Sequence, residues 1–181
     1  MIGLVRSLLL IGSAAVLAAC ADDDTRYSGP VAYLDVAEVS AGAEPRPVGG
    51  LTAAGQPDEA AFEAFAEAGY VAVVDMRAPD EDRGLEDEQG LVEALGLDYI
   101  AFPIASEEEI DFESAARLDA LLESYDGPVL VHCASSNRVG ALLALRESLR
   151  GADDDTALGY GRAAGLTRLE PRVKEVLEER K

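Results

Sequence analysis

Four residues, Ala134 to Asn137, separate Cys133 from Arg138 in the stretch HCASSNR. A thiol and a guanidinium at that spacing, across a turn of small polar residues, suit nucleophilic attack on a phosphate or a sulfur oxyanion. The arginine presents a planar fork of donors that matches tetrahedral oxygens. The turn itself (Ala134, Ser135, Ser136 and Asn137) offers backbone N–H groups, and a helix opening directly after it adds partial positive charge. Together these groups favour a thiolate on Cys133 and an anion bound beside it. The competing account is plain: a lone cysteine at the end of a strand is most often a small, inert, buried residue. The conjunction of strand, His132-Cys133, polar turn, arginine and helix favours the anion site. His132 lies behind the thiol, where a supporting hydrogen bond and an ordinary core position are equally compatible with the sequence.

These residues need a strand before them and a helix after. Val129, Leu130 and Val131 form an apolar run of the kind that a strand buried on both faces requires. Val139, Leu142, Leu145 and Leu149 recur at helical spacing, with Arg146, Glu147 and Arg150 expected on the wet side. Further strands are expected at 51–54, 70–74 and 99–104. Helices are expected after Asp58 and over 86–95, 111–123, 153–164 and 170–179. Alternating strands and helices predict an α/β fold with a central, mostly parallel sheet flanked by helices on both faces. Ligands of such sheets bind at the carboxyl ends of strands. The Cys133 turn, Asp75–Arg77 and the turn after Ile104 therefore converge on one pocket. Asp75 and Arg77 enter as supporting residues, although Arg77 is equally suited to pairing with nearby acids. A leaving alkoxide needs a proton. Glu107, Glu108, Glu109 and Asp75 are available for that role, with a structural place at the strand end equally open to Asp75, whereas Asp111 reads as a helix cap.

The segment HCASSNRVGAL resembles the active-site loop of the beta-lactamase hydrolase-like phosphatase-like family, a bacterial branch of the cysteine-dependent phosphatases. GQPDEAAFEAFAEAGYVAVVDMR, LDYIAFPI and GRAAGLTRLEP fit the same family in the same order, over about residues 45–181. The resemblance implies a phosphatase-like fold, a nucleophile at Cys133 and a phosphate-binding arginine at Arg138. No cofactor is expected. The commoner phosphatase signature has one more residue between cysteine and arginine. The shorter gap occurs in some members of this branch and in rhodaneses. The loop also usually carries a glycine where Ser136 stands.

The chain opens with an apolar run, 8–17, after Arg6, and small residues then lead to Cys20. This is a signal peptide too short for a spanning helix. Leu17-Ala18-Ala19-Cys20 resembles a lipobox, with lipid on the Cys20 thiol as the only membrane contact. The expected division is a lipoprotein signal peptide (1–19), an acidic tether (20–46) and a phosphatase-like domain (47–181), in the bacterial cell envelope outside the cytoplasm. Within the tether the less polar stretch Val31 to Val39 is suited to a short strand or to packing on the domain. The formal charge of −20 excludes the basic footprint of a nucleic-acid binder. With Cys20 lipidated, Cys133 has no disulfide partner in the chain. One histidine and one free cysteine do not make a metal site.

Three functions remain compatible with these residues. The first is an extracytoplasmic cysteine-dependent phosphatase, working through a phosphocysteine on a phosphoprotein or small phosphoester. The second is a rhodanese-like sulfurtransferase using a Cys133 persulfide. The third is a non-catalytic anion-binding module.

Overall fold

The computed structural model describes residues 27, 29–47 and 49–180. The signal-peptide and lipobox expectations, Cys20 included, fall outside the described residues.

Short apolar runs make the sheet. Strands β1 (Ala32–Leu34), β2 (Leu51–Ala54), β3 (Ala72–Asp75), β4 (Asp98–Ala101) and β5 (Val129–His132) pair in parallel in the order β1-β2-β5-β3-β4. Parallel neighbours need long crossovers, and helices supply them on both faces. On one face lie α1 (Val36–Ser40), α2 (Glu59–Glu67) and α3 (Glu88–Ala94), where Phe62, Phe65 and Val92 pack on Val73 and Leu130. On the other lie α4 (Phe112–Glu123), α5 (Asn137–Leu149), α6 (Asp154–Ala163) and α7 (Glu170–Glu179), which bury Val74, Val129 and Val131. The fold is thus the expected α/β arrangement, with β5 at the centre of the sheet.

Aspartates start the helices. Asp58, Asp87, Asp111 and Asp153 accept from the backbone N–H of Ala61, Gly90, Ser114 and Thr156, at 2.9, 2.9, 2.7 and 2.8 Å. Each such cap stabilises its helix by roughly 1 kcal/mol.

Two features refine the sequence expectations. Within the expected tether, the less polar stretch 31–39 supplies β1 and most of α1. Tyr27 fastens it, its hydroxyl donating to the carbonyls of Tyr125 (3.1 Å) and Gly127 (2.8 Å). Arg146, expected on a wet face, is fully buried. Its guanidinium donates to Asp119 (2.6 Å) and to the Tyr27 carbonyl (3.0 Å). The reason is that α5 is covered by α6 and α4 as well as by the sheet. Gly140 permits the close approach of α6. A Cβ there would lie 2.3 Å from the Leu166 nitrogen and 2.6 Å from the Gly161 oxygen.

Candidate active site

Strand β5 ends at His132, and Cys133 follows at the carboxyl edge of the sheet. Side chains alternate along the strand, so the two residues face opposite ways. Cys133 joins the cluster on the α5 face. His132 points to the other face, its ring edge-on to Phe62 at 6.0 Å between centroids. Cys133 is nearly buried, yet it forms part of the wall of an open cleft of about 440 Å³. The cleft is also lined by Ala134, Ser135, Asn137 and Arg138 from the turn, Glu81 from the loop after β3, and Ile104 to Glu107 after β4. Arg168 and Leu169, between α6 and α7, complete it.

The turn depends on Ser136, the one non-glycine residue with positive φ among the described residues (φ 60°, ψ −1°). A left-handed residue there lets the chain pass from β5 into α5 within a few residues. Glycine would adopt this conformation freely, whereas an L side chain strains it by about 1–2 kcal/mol. The serine is held by its hydroxyl, which donates to the Ala164 carbonyl at 2.8 Å. Space for its side chain exists because Gly165 has none: a Cβ at Gly165 would sit 2.6 Å from that of Ser136. Asn137 is buried, and its Oδ1 accepts from the backbone N–H of Thr167 (2.8 Å) and of Leu169 (3.4 Å). Its side chain therefore ties the turn to the 167–169 segment.

Arg138 is committed to a partner. Its two terminal nitrogens donate to the two Glu81 oxygens at 2.5 and 2.8 Å, and one of them also donates to the Ile104 carbonyl at 3.0 Å. The hydrogen bond from Arg138 holds the Glu81 carboxyl down at about 2. The hydrogen bond to Glu81 is the main cause that raises Arg138 above its ordinary value, and the nearby Cys133 sulfur adds to it. Arg138 and Cys133 both line the cleft. Glu81 is fixed in turn by the Ala78 N–H (2.8 Å) and by Arg77 Nε (3.2 Å).

Arg77 therefore does not line the cleft; it braces Glu81 and donates to Gln56 Oε1 at 2.6 Å. Asp75 is buried below the sheet edge. It accepts from the Arg77 N–H (2.8 Å), Arg83 Nε (2.8 Å) and the Tyr99 hydroxyl (2.8 Å). His132, Asp75 and Glu88 bring ligand-type atoms within 4.8 Å of one another. His132 Nε2 approaches Glu88 Oε1 to 3.2 Å. Arg83 places its positive charge 2.6 Å from Asp75 and 3.9 Å from Glu88, and so offsets the two buried carboxylates.

Among the acids after β4, Asp111 caps α4 and Glu109 accepts from the backbone N–H groups of Ala105 and Ser106. Glu108 is exposed, and the Ser106 hydroxyl beside it lowers its carboxyl. Glu107 lines the cleft, and its carboxylate has no hydrogen bond among the described residues. Its own carbonyl accepts from Arg172 Nε at 3.2 Å, which ties the turn to α7.

The sequence reading did not single out Glu81 or Arg168. The signal for Glu81 was its helical-turn spacing from Arg77. For Arg168 it was the lack of any acid three or four residues away on either side, in a chain where acids are plentiful.

Residues 48–150 match the sequence model described as "Beta-lactamase hydrolase-like protein, phosphatase-like domain". The chain belongs to this family. The beta-lactamase hydrolase-like protein of Xylella fastidiosa is 34% identical over 126 residues, which are 65% of this chain and 28% of that protein. A second, from Agrobacterium fabrum, is 30% identical over 104 residues, 56% of this chain and 24% of that protein. The chain therefore matches only about a quarter of the length of these relatives. Among solved structures, a candidate phosphatase from Neisseria meningitidis superposes with a TM-score of 0.60 at 22% identity, covering 70% of this chain and 90% of that one. The Pseudomonas aeruginosa protein TpbA, solved as a cysteine-to-serine variant with phosphotyrosine, gives 0.51 at 18% identity, covering 70% and 77%. These likenesses establish a phosphatase-like fold for the family member described here.

Proposed function

We propose that this chain is a cysteine-dependent phosphatase acting on a phosphoprotein or small phosphoester outside the cytoplasm, tethered by lipid at Cys20. The observation that carries the reading is the shared wall of the cleft, where Cys133, Ala134, Ser135, Asn137 and Arg138 meet at the end of the central strand, while Ser136, expected to contact substrate, is buried behind it. A phosphate seated there would have its equatorial oxygens held by turn amides and by the Arg138 N–H groups that Glu81 and Ile104 do not use. The Cys133 thiolate attacks phosphorus in line, the phosphorus–oxygen bond to the leaving group breaks, and a phosphocysteine forms. Glu107, free at the cleft wall, donates the proton that the leaving alkoxide takes up. Water then attacks the phosphocysteine, giving phosphate and restoring the thiol. Family membership supports this chemistry, and the phosphotyrosine bound by TpbA supports a phosphate-bearing substrate. The lipid tether rests on the sequence 17–20.

The test offers purified protein p-nitrophenyl phosphate and, separately, thiosulfate with cyanide. The reading expects phosphate release that is abolished in Cys133→Ser and in Arg138→Ala. Cyanide-dependent thiocyanate without phosphate release would replace it with sulfurtransfer. Binding of inorganic phosphate without either turnover would leave an anion-binding module.

A further inference from the structure

Four charged side chains line the cleft: Glu81, Glu107, Arg138 and Arg168. Glu81 and Arg138 neutralise each other through paired hydrogen bonds. Arg168 is different. It is exposed, it lines the cleft, and it has no hydrogen-bond or ion-pair partner among the described residues. In so acidic a chain this is unusual. Neighbouring arginines are paired: Arg162 with Glu170 at 2.6 Å and Arg172 with Glu175 at 2.9 Å.

The segment that carries Arg168 is also held in place. Asn137 accepts from the backbone N–H groups of Thr167 and Leu169, the residues on either side of Arg168. Asn137 itself belongs to the turn that begins at Cys133. Gly140 and Gly161 press α5 and α6 together, and Leu166 N donates to the Gly161 carbonyl at 2.9 Å. The base of Arg168 is therefore fixed relative to the sulfur, while its guanidinium stays unpaired. Holding an unpaired cation at the mouth of an anion site, on a wall separate from Arg138, makes a second anion subsite. It also answers a difficulty of the acidic surface: an incoming anion meets net repulsion at long range, and a local cation offsets it.

We infer that Arg168 binds a second anionic group on the substrate, so that the preferred phosphoesters carry a carboxylate or another phosphate beyond the scissile one. This builds on the phosphatase reading. The test compares phenyl phosphate with two aryl phosphates bearing one further anion at the para position, a carboxylate in one and a phosphate in the other. In wild type, KM for the doubly anionic esters is expected to be roughly five- to tenfold lower than for phenyl phosphate. In Arg168→Ala that ratio collapses to near one, and Arg168→Lys keeps part of it. The preference also shrinks as salt is raised, because the side chain is exposed. The carboxylate and phosphate arms show which second anion is preferred.

Calorimetry of the same compounds with Cys133→Ser reads affinity without turnover. If wild type hydrolyses none of the esters, the catalytic reading falls and the calorimetric ratio still decides the subsite. An unchanged ratio between Cys133→Ser and Cys133→Ser/Arg168→Ala overturns the Arg168 assignment. Absence of any binding overturns both.

Discussion

Glu81 and Arg138 face each other across the cleft wall with two parallel hydrogen bonds, 2.5 and 2.8 Å long. The residues are 57 positions apart, one after β3 and one at the start of α5. Such a fork fixes the plane of the guanidinium as well as its position. Arg138 is therefore set for equatorial oxygens before any substrate arrives. Glu81→Gln keeps the shape of the side chain but loses the charge. It should lower kcat/KM by about 10- to 100-fold, since misplacing a positioning group by a fraction of an ångström has effects of that order. Steady-state kinetics on p-nitrophenyl phosphate checks this.

The same pair has a pH signature. The Glu81 carboxyl is lowered from 4.5 to about 2 in the folded chain. A depressed carboxyl stabilises the fold above its unfolded value and loses that contribution as pH falls through its folded value. The stability difference between wild type and Glu81→Gln should thus be constant above about pH 5 and shrink from there toward pH 2. Urea unfolding of both proteins across this range measures it. A difference that grows on acidification would contradict the assignment.

Ser136 balances strain against a hydrogen bond. Both Ser136→Gly and Ser136→Ala lose the bond to the Ala164 carbonyl, at about 1–3 kcal/mol. Ser136→Gly also relieves the left-handed backbone, by about 1–2 kcal/mol, so its unfolding free energy should change little. Ser136→Ala keeps the strain and should be the less stable of the two by about 1–2 kcal/mol. Urea denaturation of the two variants separates them.

Much of this architecture is readable in the sequence itself. The strands are runs such as Val129 to Val131, buried on both faces, and period and length suffice to find them. The aspartate caps are similarly local. Other features depend on contacts between distant elements. Arg146 reads as solvated because helical periodicity reports one buried face and cannot register that α6 covers the second. The pairing of Glu81 with Arg138 joins loops that only the parallel crossover brings together. Comparison with glycine in related loops marks Ser136 as unusual, but the hydroxyl bond to Ala164 that holds its positive φ arises from α6 packing. β1 is hard to read because Ala32 to Leu34 is only three residues long.

Glu107 makes a leaving-group prediction. A general acid matters most where the departing oxygen is strongly basic. Glu107→Gln should lower kcat for an alkyl phosphate by about 100-fold or more, and for p-nitrophenyl phosphate by less than about tenfold. Equal losses on both substrates would remove Glu107 from that role.

The central claim is that Cys133 takes the phosphoryl group. Wild-type protein mixed with p-nitrophenyl phosphate and quenched in acid within the first turnover should yield a phosphate adduct on the peptide containing Cys133, read by mass spectrometry. Cys133→Ser should release no p-nitrophenol. Turnover that persists in Cys133→Ser, or a phosphorylated peptide that lacks Cys133, would contradict the account.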